Sequence, residues 1–119
     1  MTTCIITKKT PIQLAHLIPY DENDSASNII PLRYDLHKSF DDKLWAFDPN
    51  GFEPSKEDEK LNNYSSNKYK NYKIVISSKC PDTETIKEYD YKLVPIFDIS
   101  IPFIEESWKR FNEKNSPTV

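Results

Sequence analysis

The chain has two histidines, His16 and His37, and both lie in runs whose residue types could do chemistry. His16 sits in Ala15-His16-Leu17-Ile18-Pro19, and His37 follows Arg33-Tyr34-Asp35-Leu36. Asn28 lies between them, and Asp41 comes four residues after His37. An imidazole with an ordinary pKa near neutrality can take a proton as a general base, or it can ligate a metal. An i, i+4 pair such as His37 and Asp41 would share one face of a helix and could offer two donors to a cation. Taken singly, each residue also has an ordinary structural reading. His16 could be a packed strand histidine, Asn28 a turn residue, and Asp41 a solvated helix charge paired with Lys38 or Arg33.

The flanking pattern says which elements must position these residues. From Ile12 to Ile18, apolar positions alternate and predict an extended segment that Pro19 ends. Tyr20 to Ser27 is a polar loop. Asn28 to Leu32 predicts a second short strand, and Pro31 marks it as an edge or terminal piece. Arg33 to Asp42 predicts a short helix with Leu36 and Phe40 on one face. Leu44 to Phe47 predicts a further strand, followed by a turn at Asp48-Pro49-Asn50-Gly51. The span 53–71 is polar and charged and predicts a flexible segment. Beyond it, Tyr72 to Ser77 reads as the clearest strand. Pro81 to Asp90 could hold a short helix, and Lys92 to Ile96 another strand. Pro102 to Lys114 predicts an amphipathic helix, with Phe103, Ile104, Ser107, Trp108 and Phe111 as its stripe.

At 119 residues the chain predicts one domain spanning 1–119. Apolar residues make up only 37%, so the core must lean on the 13% that are aromatic. Cys4 and Cys80 stand far apart, which excludes a four-thiolate zinc site. Cys4 reads as a buried packing residue and Cys80 as a loop residue. No apolar run approaches a membrane span, and no leader-like stretch opens the chain. The expectation is a soluble intracellular protein, cytoplasmic or nuclear, with both thiols free.

The block Ala15-His16-Leu17-Ile18-Pro19, Asn28, then Asp35-Leu36-His37 and Phe40-Asp41 resembles the core of the HNH endonuclease superfamily, over about a third of the chain from Cys4 to Phe47. The branch it looks like runs Ala-His-hydrophobic-hydrophobic-Pro, Asn, then His-x-x-Phe-Asp. The separation of nine between Asn28 and His37 is also that of the HNH domain in CRISPR effector nucleases. The resemblance implies an α+β fold: a ββα-metal core over about 4–47, with additional strands and a C-terminal amphipathic helix over about 72–114. It implies that His16 is the general base, that Asn28 holds the loop and orients His16 through hydrogen bonds, and that His37 binds metal. Many such sites place a metal-binding Asp, Glu or His just before the base. Here that residue is Ala15, which cannot ligate. His37 and Asp41 are therefore the expected metal pair, at the spacing colicin-type nucleases use, with water and phosphate oxygens completing the shell. Mg²⁺ is the first expectation, and a histidine ligand admits Zn²⁺, Mn²⁺ or Ni²⁺.

The implied activity is metal-dependent hydrolysis of phosphodiester bonds in DNA, with RNA left open. The alternatives are an HNH fold that has lost catalysis and binds nucleic acid or protein, and a structural protein in which the unit merely packs. The net charge of −3 argues against broad non-specific DNA binding, although a bound cation supplies positive charge locally. Expected nucleic-acid contacts are Arg33 and Lys38 on the helix, and Lys68 and Lys70 in Asn67-Lys68-Tyr69-Lys70-Asn71-Tyr72-Lys73. That strip could track a backbone and stack on bases, although a plain polar loop is the favoured reading. The small surface suggests a homodimer for double-strand cleavage.

Overall fold

The computed structural model describes residues 2–53 and 69–115. Two strands, β1 (Gln13–His16) and β2 (Ile29–Leu32), form an antiparallel pair in which Gln13 faces Leu32 and His16 faces Ile29. Helix α1 (Tyr34–Asp41) follows at once. A second antiparallel sheet has the order β3-β4-β5, from Trp45–Phe47, Tyr69–Ile76 and Leu93–Phe97. Helix α2 (Ile101–Asn115) closes the described chain and packs against β3. The fold is α+β, with mixed helices and antiparallel sheets.

The core explains why α1 sits where it does. Leu36 and Phe40 turn inward with Leu32, Ile30 and Ala15 of the β1–β2 pair. Trp45 is 1% exposed, and its indole N–H donates to Ser39 Oγ at 3.0 Å and to the Leu36 carbonyl at 3.3 Å. The helix thus hangs from the strand that follows it. Its end is a Schellman turn: Leu44 N–H bonds the Ser39 carbonyl at 3.0 Å and Lys43 N–H bonds the Phe40 carbonyl at 2.9 Å. The residue such a turn places at positive φ is usually glycine. Here it is Lys43, with φ 59°.

The single glycine does a different task. A Cβ on Gly51 would lie 2.9 Å from the Tyr72 ring, so glycine permits the close approach of the turn to β4. Within that turn, Asp48 Oδ1 accepts from the Asn50 backbone and side chain at 2.9 and 3.0 Å.

Two sequence expectations need correction. The polar segment expected over 53–71 ends early, because β4 begins at Tyr69 and its Tyr69, Asn71 and Tyr72 side chains are buried. The charged and polar types at Lys70 and Asn71 hide this start, although Asn71 is buried and Lys70 half-buried. Residues 54–68 of that segment lie outside the described residues. The expected helix over Pro81 to Asp90 is a 3₁₀ turn at Thr85–Tyr89, anchored by the buried Ile86. Other elements fall within one or two residues of expectation. Cys4 and Cys80 are both free and buried, Cys80 in a loop.

Candidate active site

His16 ends β1, half-exposed, and its ring meets Tyr20 edge-on at 5.5 Å. The backbone beyond it is held by Asn28, which closes a 3₁₀ turn at Ala26–Asn28 and is 0% exposed. Asn28 Oδ1 accepts from Ile18 N–H, and Nδ2 donates to the carbonyls of Ile18 and Asn23, all at 2.9 Å. Its own carbonyl accepts from Leu17 N–H at 2.8 Å. Asn28 therefore pins both residues that follow His16. Its side-chain amide is spent on backbone groups of the loop that follows His16, and these bonds leave the His16 ring untouched.

His37 lies one turn into α1. Its Nε2 is 3.1 Å from Asp41 Oδ2, and its Nδ1 is 2.7 Å from Gln13 Oε1 of β1. The i, i+4 expectation is met at side-chain level. When Gln13 Oε1 accepts from Nδ1–H, Nε2 keeps its lone pair and faces the carboxylate, which is the arrangement a shared cation requires. Gln13→Met keeps the shape but removes the acceptor. If His37 and Asp41 hold a divalent cation, this change is expected to weaken its affinity by roughly tenfold, the lower end for loss of a partner behind a ligating histidine. Gln13→Glu should retain that affinity, and titration calorimetry checks both.

His16, His37 and Asp41 line one cavity of about 320 Å³, together with Tyr20, Lys43, Trp45 and, from α2, Ser107, Arg110 and Phe111. The donor set on this wall is sparse. Among the described residues, no group of three or more His, Cys, Asp or Glu gathers to hold a metal. The His37–Asp41 pair supplies two donors, one nitrogen and one carboxylate oxygen, which fits a cation that keeps several waters. Ala15 is 0% exposed, packed in the core, and does not line the cavity.

The expected nucleic-acid contacts are not gathered here. Arg33 donates to the Thr10 carbonyl at 3.3 Å and stands 3.9 Å from Asp35, off the cavity wall. Lys38 is exposed and also off the wall. Lys70 lies on β4, 3.8 Å from Glu53. Lys68 lies outside the described residues. Stacking of bases on Tyr72 is ruled out, because the ring is 0% exposed and burial pushes its hydroxyl up to about 12.

Four wall or supporting residues carry no local sequence signal: Gln13, Tyr20, Lys43 and Arg110. Arg110 grips Glu22 with two bonds of 2.8 and 2.6 Å and Glu106 with a third of 3.0 Å. The Glu22 bonds, then those of Glu106, hold the guanidinium more firmly charged, and Arg110 in turn holds the Glu22 carboxyl below its ordinary range. The clamp ties the loop between His16 and Asn28 to α2. Because the folded carboxyl is depressed, its stabilisation is present above the ordinary carboxylate pKa and is lost as pH falls through the lower folded value. The melting-temperature gap between the native chain and Glu22→Gln is therefore expected to be present at pH 7 and to close as the pH falls below the usual carboxylate range.

Comparison with known proteins bears on one segment. A family model described as HNH endonuclease matches residues 4–48, which hold His16, Asn28, His37 and Asp41. No curated protein and no solved structure matches the chain. β4, β5 and α2 lie beyond the matched segment. Over residues 4–48, well under half of its length, the chain is similar to the HNH endonuclease family.

Proposed function

We propose that the chain is a metal-dependent endonuclease that hydrolyses phosphodiester bonds in DNA, with His16 as general base and one divalent cation held by His37 and Asp41. The observation that carries this reading is the convergence of those three side chains on one cavity, with His37 Nε2 and Asp41 Oδ2 already 3.1 Å apart.

The residues divide the work in a way the reaction needs. The attacking water must lose a proton, and the half-exposed imidazole of His16 accepts it. Asn28 fixes the chain just after His16, so the base keeps its place against the wall. Tyr20 packs edge-on to the same ring and limits its rotation. His37, backed by Gln13, and Asp41 form the cation's protein ligands. When bound, a divalent cation supplies Lewis-acid stabilisation of the charge that grows on the leaving oxygen. Mg²⁺ is the proposed ion, with Mn²⁺, Zn²⁺ or Ni²⁺ compatible with the nitrogen donor.

A second reading, an HNH fold that binds nucleic acid without cutting it, has one observation in its favour: among the described residues, no third His, Cys, Asp or Glu gathers with His37 and Asp41 to hold a metal. A plasmid-nicking assay separates the two. The native chain is expected to nick supercoiled DNA with Mg²⁺ or Mn²⁺, and EDTA or His37→Ala should abolish nicking. DNA binding without nicking under any divalent ion favours the second reading.

A further inference from the structure

The cavity must receive an anionic phosphodiester, yet the chain carries a net charge of −3. Attraction has to be local. Among the described residues, two basic side chains line the wall, Lys43 and Arg110. Arg110 is committed, since Glu22 takes both terminal nitrogens and Glu106 takes Nε. A guanidinium flanked by two carboxylates has little net positive charge to offer. The Lys43 ammonium, by contrast, has no hydrogen bond and no ion pair among the described residues.

Its presentation is fixed by the backbone. Lys43 occupies the left-handed position of the turn that ends α1, two residues after Asp41. Its N–H bonds the Phe40 carbonyl at 2.9 Å, and its own carbonyl accepts from Asn115 Nδ2 at 2.9 Å. The stem is thus anchored to both helices. Glu22, held down first by its bonds from Arg110, also feels the Lys43 charge, which puts that charge on the same side as the clamp.

We propose that Lys43 is the substrate-phosphate contact of this cavity, its ammonium pairing with a non-bridging oxygen of the nucleic-acid backbone beside His16 and the His37–Asp41 pair. This inference rests on the nuclease reading and adds to it a cation that the HNH motif residues do not include.

The left-handed φ makes a clean test possible. Lys43→Gly removes the ammonium at a backbone conformation glycine adopts freely, so Tm should hold or rise. Binding of the full chain to a fluorescent mixed-sequence DNA duplex is measured in EDTA across a KCl series. Lys43→Gly is expected to bind roughly three- to tenfold more weakly at low salt, with the slope of log K against log salt reduced by about 0.9, the loss of one phosphate contact. Lys43→Arg should bind as the native chain does, and so should Lys9→Ala, which removes an exposed charge off the cavity wall. Native nicking together with unchanged affinity and slope in Lys43→Gly overturns this inference and leaves the nuclease reading standing. An equal loss in Lys9→Ala overturns it too, because bulk charge then explains the binding. A native chain that neither binds nor nicks DNA overturns both.

Discussion

Replacing His16 with alanine is expected to slow DNA cleavage by about 10²- to 10⁴-fold, the usual worth of a positioned general base. Metal affinity should stay within roughly twofold, since a change that leaves both ligands in place removes no coordination. The separation follows from where the side chains stand. His16 belongs to the end of β1, whereas both proposed ligands belong to α1. His16 bonds neither of them, and its ring contact is with Tyr20. Single-turnover nicking at saturating metal measures the first effect, and calorimetry the second. Nicking that survives His16→Ala would move the base elsewhere even if the protein cuts DNA.

The second large effect is on stability. Asn28→Ala strips partners from the Ile18 N–H and from the carbonyls of Ile18 and Asn23 in one step. Buried polar groups left unsatisfied cost about 1–3 kcal/mol each, and with partial relaxation toward water a total near 3 kcal/mol is expected. Chemical denaturation should show it as a lower midpoint at unchanged slope. Asn28→Asp should rescue little, because it keeps the acceptor for Ile18 N–H but loses both N–H donors and buries a charge. A loss below about 0.5 kcal/mol in Asn28→Ala, the range of ordinary surface changes, would contradict the assigned role.

These two residues also show what is legible in the sequence. The β1–β2–α1 unit could be read locally, because apolar alternation, Pro19 and the Leu36/Phe40 face each act within a few positions. The His37–Asp41 pair was legible for the same reason, since i, i+4 proximity is a property of any helix. The partners that complete the site were not. Gln13 reaches His37 across 24 positions, and Arg110 reaches Glu22 across 88. The first depends on how α1 lies against β1 and the second on how α2 packs on β3, and no local pattern encodes either.

The placement of basic residues is only partly legible. Arg33, Lys38 and Lys70 were attractive as phosphate contacts because they are basic and near the motif or in an aromatic strip. Yet Arg33 is drawn to the Thr10 carbonyl and Lys70 toward Glu53. Lys43 carries no such signal, because in sequence a lysine at the left-handed position of a Schellman turn looks like the start of a strand. The strip from Asn67 to Lys73 reads as polar, but burial of Tyr69 and Tyr72 makes its described part an inner strand.

The central claim is a division of labour inside one cavity, with His37 and Asp41 holding the cation and His16 handling the proton. Binding of Mn²⁺, followed by electron paramagnetic resonance on the native chain and on His37→Ala, Asp41→Ala and His16→Ala, tests it most directly. One Mn²⁺ per chain is expected in the native protein and in His16→Ala, with marked loss of binding in both helix variants. No bound Mn²⁺ in the native chain, or a loss in His16→Ala equal to that in His37→Ala, would contradict it.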